Sequence, residues 1–143
     1  MSVVNAMPIM NLEVYLMNKV SLMVWGRPLE LEIVYDCYSD EEILDNQVIS
    51  YDEFMKNAVK LLDDVLPTVK KYCLQLNKSE IGEEHISNIF KYVVPQKIFI
   101  KRTDVTVRKV AILCAYRFNL DDGIAIVFQN EKFYDISSNN IIL

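Results

Sequence analysis

The segment Thr106–Phe118 reads as a strand that is apolar on both faces. Val110, Ile112, Cys114, Tyr116 and Phe118 share one face, and Ala111, Leu113 and Ala115 share the other. Residues Gly123–Gln129 repeat the arrangement, with Ile124, Ile126 and Phe128 backed by Ala125 and Val127. A strand with no polar face belongs in the middle of a sheet, covered on each side. Two such strands in succession place the centre of the fold near the C-terminus.

The remaining strands are less buried in pattern. Residues 12–17 and 20–25 both read as strands, joined by a turn at Asn18-Lys19, and Gly26-Arg27-Pro28 breaks the second run. Leu29, Leu31, Ile33 and Tyr35 then alternate with Glu30, Glu32 and Asp36, one dry face against one wet face, the pattern of an antiparallel sheet. Lys97–Arg102 and Lys132–Ser137 complete the strand candidates.

Between these strands the period changes. Apolar residues from Tyr51 through Phe54, Ala58, Leu62, Val65, Val69 and Cys73 to Leu76 keep helical spacing. Ser50 followed by Glu53 has the form of a capping box, which starts the predicted helix there. Pro67 lies inside the stripe and predicts a kink or break near Asp63–Leu66, because it lacks an amide and crowds the preceding turn. Ile86, Ile89, Phe90 and Val93 predict a shorter helix after Glu83-Glu84, ended by Pro95. The charge-rich stretch Ser39–Asn46 reads as an exposed connection. The expected fold is therefore α+β: an antiparallel sheet carrying one long, proline-kinked helix and one shorter helix, closed by a C-terminal meander. At 143 residues, a single domain spanning 1–143 is expected.

Much chemistry is excluded by residue type and spacing. His85 is the only histidine, and Cys37, Cys73 and Cys114 are far apart without a CxxC, so zinc spacing is missing. Three is an odd count for a disulfide framework, which suits reduced thiols in the cytoplasm. A Cys–His nucleophile would have to use His85, while Cys73 and Cys114 fall on apolar faces as small core residues. The glycines Gly26, Gly82 and Gly123 are scattered, so neither phosphate-loop pattern occurs. No cofactor is expected.

Asp121-Asp122-Gly123 invites a metal or proton-transfer reading. A calcium loop built on Gly123 would put Leu120 at a ligand position and Gln129 at the bidentate one, so the spacing fails. Asp-Gly between two apolar strands is a hairpin signal, and Asn130-Glu131 reads as a second turn. The pairs Glu41-Glu42, Asp52-Glu53, Asp63-Asp64 and Glu83-Glu84 have local readings in loops, helix starts or a polar helix face. No catalytic residue is assigned.

The net charge of −5 argues against a nucleic-acid surface and leaves room for a basic protein partner. The basic run Lys97–Arg102 with Arg108-Lys109 reads as protection of a strand edge. Trp25 and Tyr38 are candidate partner anchors, with a half-buried structural role as the ordinary alternative. The N-terminus lacks a basic start ahead of an apolar run, and no apolar stretch reaches the roughly 18 residues of a membrane span, so a cytoplasmic, membrane-free location is expected.

The C-terminal third carries a resemblance. Val94-Pro95-Gln96-Lys97-Ile98-Phe99-Ile100, then Asp122-Gly123-Ile124-Ala125-Ile126-Val127-Phe128-Gln129-Asn130-Glu131, then Ser138-Asn139-Asn140-Ile141-Ile142-Leu143 resemble a domain family of unknown function found in small bacterial proteins. Asn140 stands where that family usually has Asp, and Glu131-Lys132 replaces a turn with Gly. These motifs are structural, so the resemblance implies no catalytic residue. Comparable small acidic bacterial proteins include immunity proteins of toxin systems. The expectation is a non-enzymatic, cytoplasmic protein-binding domain, of the toxin-neutralising kind. Two alternatives stand beside it: a small hydrolase or metal-dependent enzyme using carboxylates, and a homo-oligomeric structural subunit.

Overall fold

The computed structural model describes residues 18–38 and 40–139. Its element order is β1 (Lys19–Val24), β2 (Arg27–Tyr35), α1 (Asp45–Lys56), α2 (Ala58–Ile81), a short 3-10 turn (Ile89–Lys91), β3 (Val93–Ile100), β4 (Lys109–Tyr116), β5 (Ile124–Gln129) and β6 (Lys132–Ser137). The six strands form one sheet in sequence order. The α+β class and the C-terminal meander are as read from the sequence. The strand read at 12–17 lies outside the described residues.

The sheet departs from an all-antiparallel one at β2 and β3, which pair in parallel through Glu32↔Lys97 to Tyr35↔Ile100. Parallel neighbours need a crossover, and α1 and α2 are that crossover. Both helices therefore belong to one connection, which carries them onto one face of the sheet. Phe54, Ala58, Leu62, Val65, Val69 and Cys73 pack there with Leu31, Ile98, Ile112, Ile126 and Phe128. Phe99, Ala111, Leu113, Ala125 and Val127 form a second, smaller cluster that includes no helix residue. The two-faced burial expected of β4 and β5 is present.

Turn chemistry sets the hairpins. Trp25 and Gly26 have φ of 49° and 83°, and Asn130 and Glu131 have φ of 50° and 60°. Two successive positive values give the backbone twist that two-residue hairpins favour. The break after β1 is thus confined to Trp25-Gly26, and Pro28 already pairs with Met23. Asn18, expected in a turn, has φ 55° and receives the Ile33 amide on its carbonyl at 2.8 Å.

The helical region needs three corrections. The helix starts at Asp45, and Ser50 is buried inside α1 with its hydroxyl donating to the Asn46 carbonyl at 2.7 Å. The helical path is interrupted at Asn57 (φ −131°, ψ 21°) and again at Asn77 (φ −135°, ψ 41°), while helical backbone continues through Pro67. Pro67 and Asp63 are both exposed, so the carbonyl left without an amide faces water. The shorter helix expected over 86–93 is only the 3-10 turn, and Pro95 sits within β3 at a bulge between Pro95 and Lys97. A bulge frees proline from the ladder bond it cannot make.

The connection read as exposed over 39–46 is shorter than expected: Asp45 and Asn46 already belong to α1, and Asn46 and Gln47 are buried at its head. The Gln47 amide donates to the Asp36 and Ile100 carbonyls, both at 3.1 Å, and its oxygen accepts from the Leu44 amide at 2.9 Å. The Asn46 amide reaches the carbonyls of Asp104 at 2.7 Å and Val107 at 3.1 Å. These two side chains tie α1 to the ends of β2 and β3 and to the loop before β4.

Candidate docking groove

A groove of about 970 Å³ runs along the outer face of α2. Helical spacing puts Asp63, Pro67, Lys70 and Leu74 on one side of that helix, and Lys78 joins the groove beyond the break at Asn77. Glu84, His85 and Ile86 form the facing wall. The wall stands there because α2 stops at Gly82, whose φ of 66° turns the chain and whose amide caps the Lys78 carbonyl at 3.0 Å.

Two anchors then hold the wall. Ile86 is buried in the main core. The Tyr92 hydroxyl donates to Glu83 at 2.5 Å, and that hydrogen bond holds the Glu83 carboxyl below its usual range. Glu84 and His85 are left exposed at the rim of the groove. The surface thus combines apolar Leu66, Pro67, Leu74 and Ile86 with the ammonium groups of Lys70, Lys71 and Lys78. Lysine stems extend an apolar floor while their charges stay wet.

The other sequence candidates are scattered. Asp121, Asp122 and Gly123 close the β4–β5 loop, where the Gly123 amide donates to the Asn119 carbonyl at 2.8 Å and the Asp122 amide to the Asn119 side chain at 3.3 Å. The loop spans residues 117–123, longer than a tight hairpin. Cys37 lies beside Arg102, whose guanidinium is 3.2 Å from its sulfur; burial pushes its thiol up while Arg102 opposes that shift. Cys73 and Cys114 are buried, as the sequence indicated, and burial raises both, Cys73 to about 11. His85 faces none of the contacts made by Cys37, which are Arg102, Gln47 and the Glu42 carbonyl.

Trp25 takes a structural role. Its indole donates to the Leu62 carbonyl at 2.8 Å, and its ring packs 5.8 Å from Phe90. Tyr38 is 80% exposed and touches the connection before α1, where its amide donates to Glu41. The basic run is largely neutralised in place. Lys97 meets Glu32, Lys101 meets Asp36, Arg102 meets Glu41, and Arg108 clasps Glu131 through two bonds of 2.8 and 2.9 Å. Among the described residues, no three His, Cys, Asp or Glu side chains are grouped to hold a metal ion. No helix of the described residues is long and apolar enough to cross a membrane.

Residues 10–143 match the family described as Domain of unknown function (DUF6985). The chain belongs to this family. The match extends the likeness from the C-terminal third to β1, both helices and the groove. No curated protein and no solved structure matches the chain.

The groove is the part the sequence did not single out. The missing signal was the facing wall, which depends on the turn at Gly82 and on Tyr92, ten residues later.

Proposed function

We propose that this DUF6985 domain is a non-enzymatic protein-binding module, of the kind that neutralises a bacterial toxin by holding it. One observation carries this reading: a wide, open groove on α2 that joins an apolar floor to charged side chains. That combination suits a folded partner or a peptide, because it offers contact area with a polar rim.

The carboxylates support the same reading over a hydrolase. Glu30, Glu32, Asp36, Glu41, Asp64 and Glu131 each hold a cation of the chain itself, spread over β2, the connection after it, α2 and the β5–β6 turn. A carboxylate enzyme would instead gather acids around one cleft. The strongly shifted groups are buried or half-buried tyrosines and cysteines held neutral, such as Tyr51, pushed up to about 12 by burial. None of these shifted groups lines the groove.

The net charge of −5 favours long-range approach of a basic protein. A second reading, a homo-oligomeric subunit, is favoured by Phe133 and Tyr134, exposed on the edge strand β6. The test is a tagged capture from a native lysate, followed by reconstitution of the retained protein with the purified chain. A defined hetero-complex of constant stoichiometry is expected. A chain that sediments alone and retains nothing in stoichiometric yield overturns the reading, and one that sediments only with itself favours the subunit.

A further inference from the structure

We propose that the α2 groove seats an acidic amphipathic segment of a partner protein. This rests on the protein-binding reading and adds the surface and the chemistry of its occupant. Leu74 is the centre of the site. Lys70 precedes it by one helical turn, Lys71 flanks it, and Lys78 lines the groove just past the break at Asn77. Leu66 and Pro67 extend the apolar floor towards one end, and Ile86 closes it from the wall.

Charge selects the occupant. Lys19, Lys56, Lys60, Lys91, Lys97 and Lys101 each stand within 4.0 Å of a carboxylate of this chain. Among the described residues, Lys70, Lys71 and Lys78 have no such carboxylate. Asp63 and Glu84 are the groove's acids, so its three lysines leave a local charge of +1 in a chain of −5. The local sign is opposite to the net sign, and contact is governed by the local one because screening cuts off distant charges beyond about 8–10 Å.

An occupant with apolar residues at helical spacing would lay them on Leu66, Leu74 and Ile86. Carboxylates flanking that stripe would meet the three ammonium groups, the helix-in-groove mode of recognition. Rim charges of this sort act on encounter rate and salt dependence.

The probe is a displayed library of random peptides of about 20 residues, long enough to follow α2 as a helix at about 1.5 Å per residue. It is selected on the full chain, with the Lys70→Glu/Lys71→Glu/Lys78→Glu variant as counter-target. Expected are ligands rich in Asp and Glu around an apolar stripe. They should bind the variant at least about tenfold more weakly, lose affinity as salt rises, and shift backbone amide signals at 66–78 and 84–86. Unchanged unfolding curves establish that the variant is folded, and Lys71→Glu alone, at an exposed position, serves if the triple variant is not. Neutral or basic ligands seated in the groove overturn the acidic segment and leave protein binding standing. Ligands that ignore the charge reversal and perturb another face overturn the groove. Self-association abolished by the reversal assigns the groove to a second copy and overturns the proposal. A selection that enriches nothing counts against both this proposal and the protein-binding reading.

Discussion

Substituting Gly123 by alanine should be far more damaging than the same change at Gly82. Both glycines have positive φ, 64° and 66°. Placing any L-residue there costs roughly 1–2 kcal/mol. At Gly82 a new Cβ meets nothing within 4 Å, so the conformational cost is the whole effect. At Gly123 the Cβ would lie 2.3 Å from the Cys114 carbonyl oxygen. Cys114 is in β4, which is buried between β3 and β5, and its backbone cannot swing aside as a side chain would. Relieving such a clash by backbone movement adds about 1–3 kcal/mol. The expected loss is about 2–5 kcal/mol for Gly123→Ala against about 1–2 kcal/mol for Gly82→Ala. At about 4 °C per kcal/mol, Tm should fall by roughly 8–20 °C and 4–8 °C respectively. Urea unfolding followed by circular dichroism measures both. Equal losses, or a smaller loss at Gly123, would refute the claim that the β4–β5 loop closes against the Cys114 carbonyl.

Gln47→Leu should cost about 1–3 kcal/mol in urea unfolding, because the buried Ile100 carbonyl and the part-buried Leu44 amide and Asp36 carbonyl lose a partner. In native protein a thiol reagent should label Cys37 alone, with Cys73 and Cys114 reacting only on unfolding, as mass spectrometry of the labelled chain can check. Stability should decline as pH rises from 9.0 towards about 11, the interval between the ordinary and raised values of Cys73. A folded value above the unfolded one means that the unfolded chain loses its proton first, so stability is complete below the interval and lost through it. Tyr51, raised from 10.0 to about 12, extends the decline upward. Unfolding free energies measured across this range for the natural chain and Cys73→Ala should show a shallower slope in the variant at the lower end.

The central strands were legible because their signal is local. Val110, Ile112 and Cys114 against Ala111 and Leu113 state two buried faces within one segment, and Lys132–Ser137 came out with its observed bounds. Ser50 and Glu53 have the spacing of a capping box, while the real helix start is organised by Gln47 reaching carbonyls 11 and 53 residues away. No local pattern carries that. Pro67 was overweighted for a similar reason. Its missing bond falls on the exposed side of α2, and the path breaks at two asparagines instead. The parallel β2–β3 pair could not be read from alternation alone, since alternation reports a wet face and not a strand's direction. Ile86, Ile89 and Val93 are buried as their spacing suggested, yet they line the way into β3 and form no full helical turn. The groove was invisible because its two walls join residues on opposite sides of the Gly82 turn.

Hydrogen exchange on the reconstituted complex tests the binding surface most directly. Amide exchange would be compared in the free chain and in the chain bound to its captured partner. Added protection concentrated in 66–78 and 84–86, with Cys37, the β4–β5 loop and β6 unchanged, is expected. Protection along β6 or the connection before α1, with the α2 groove exchanging as in the free chain, would contradict it.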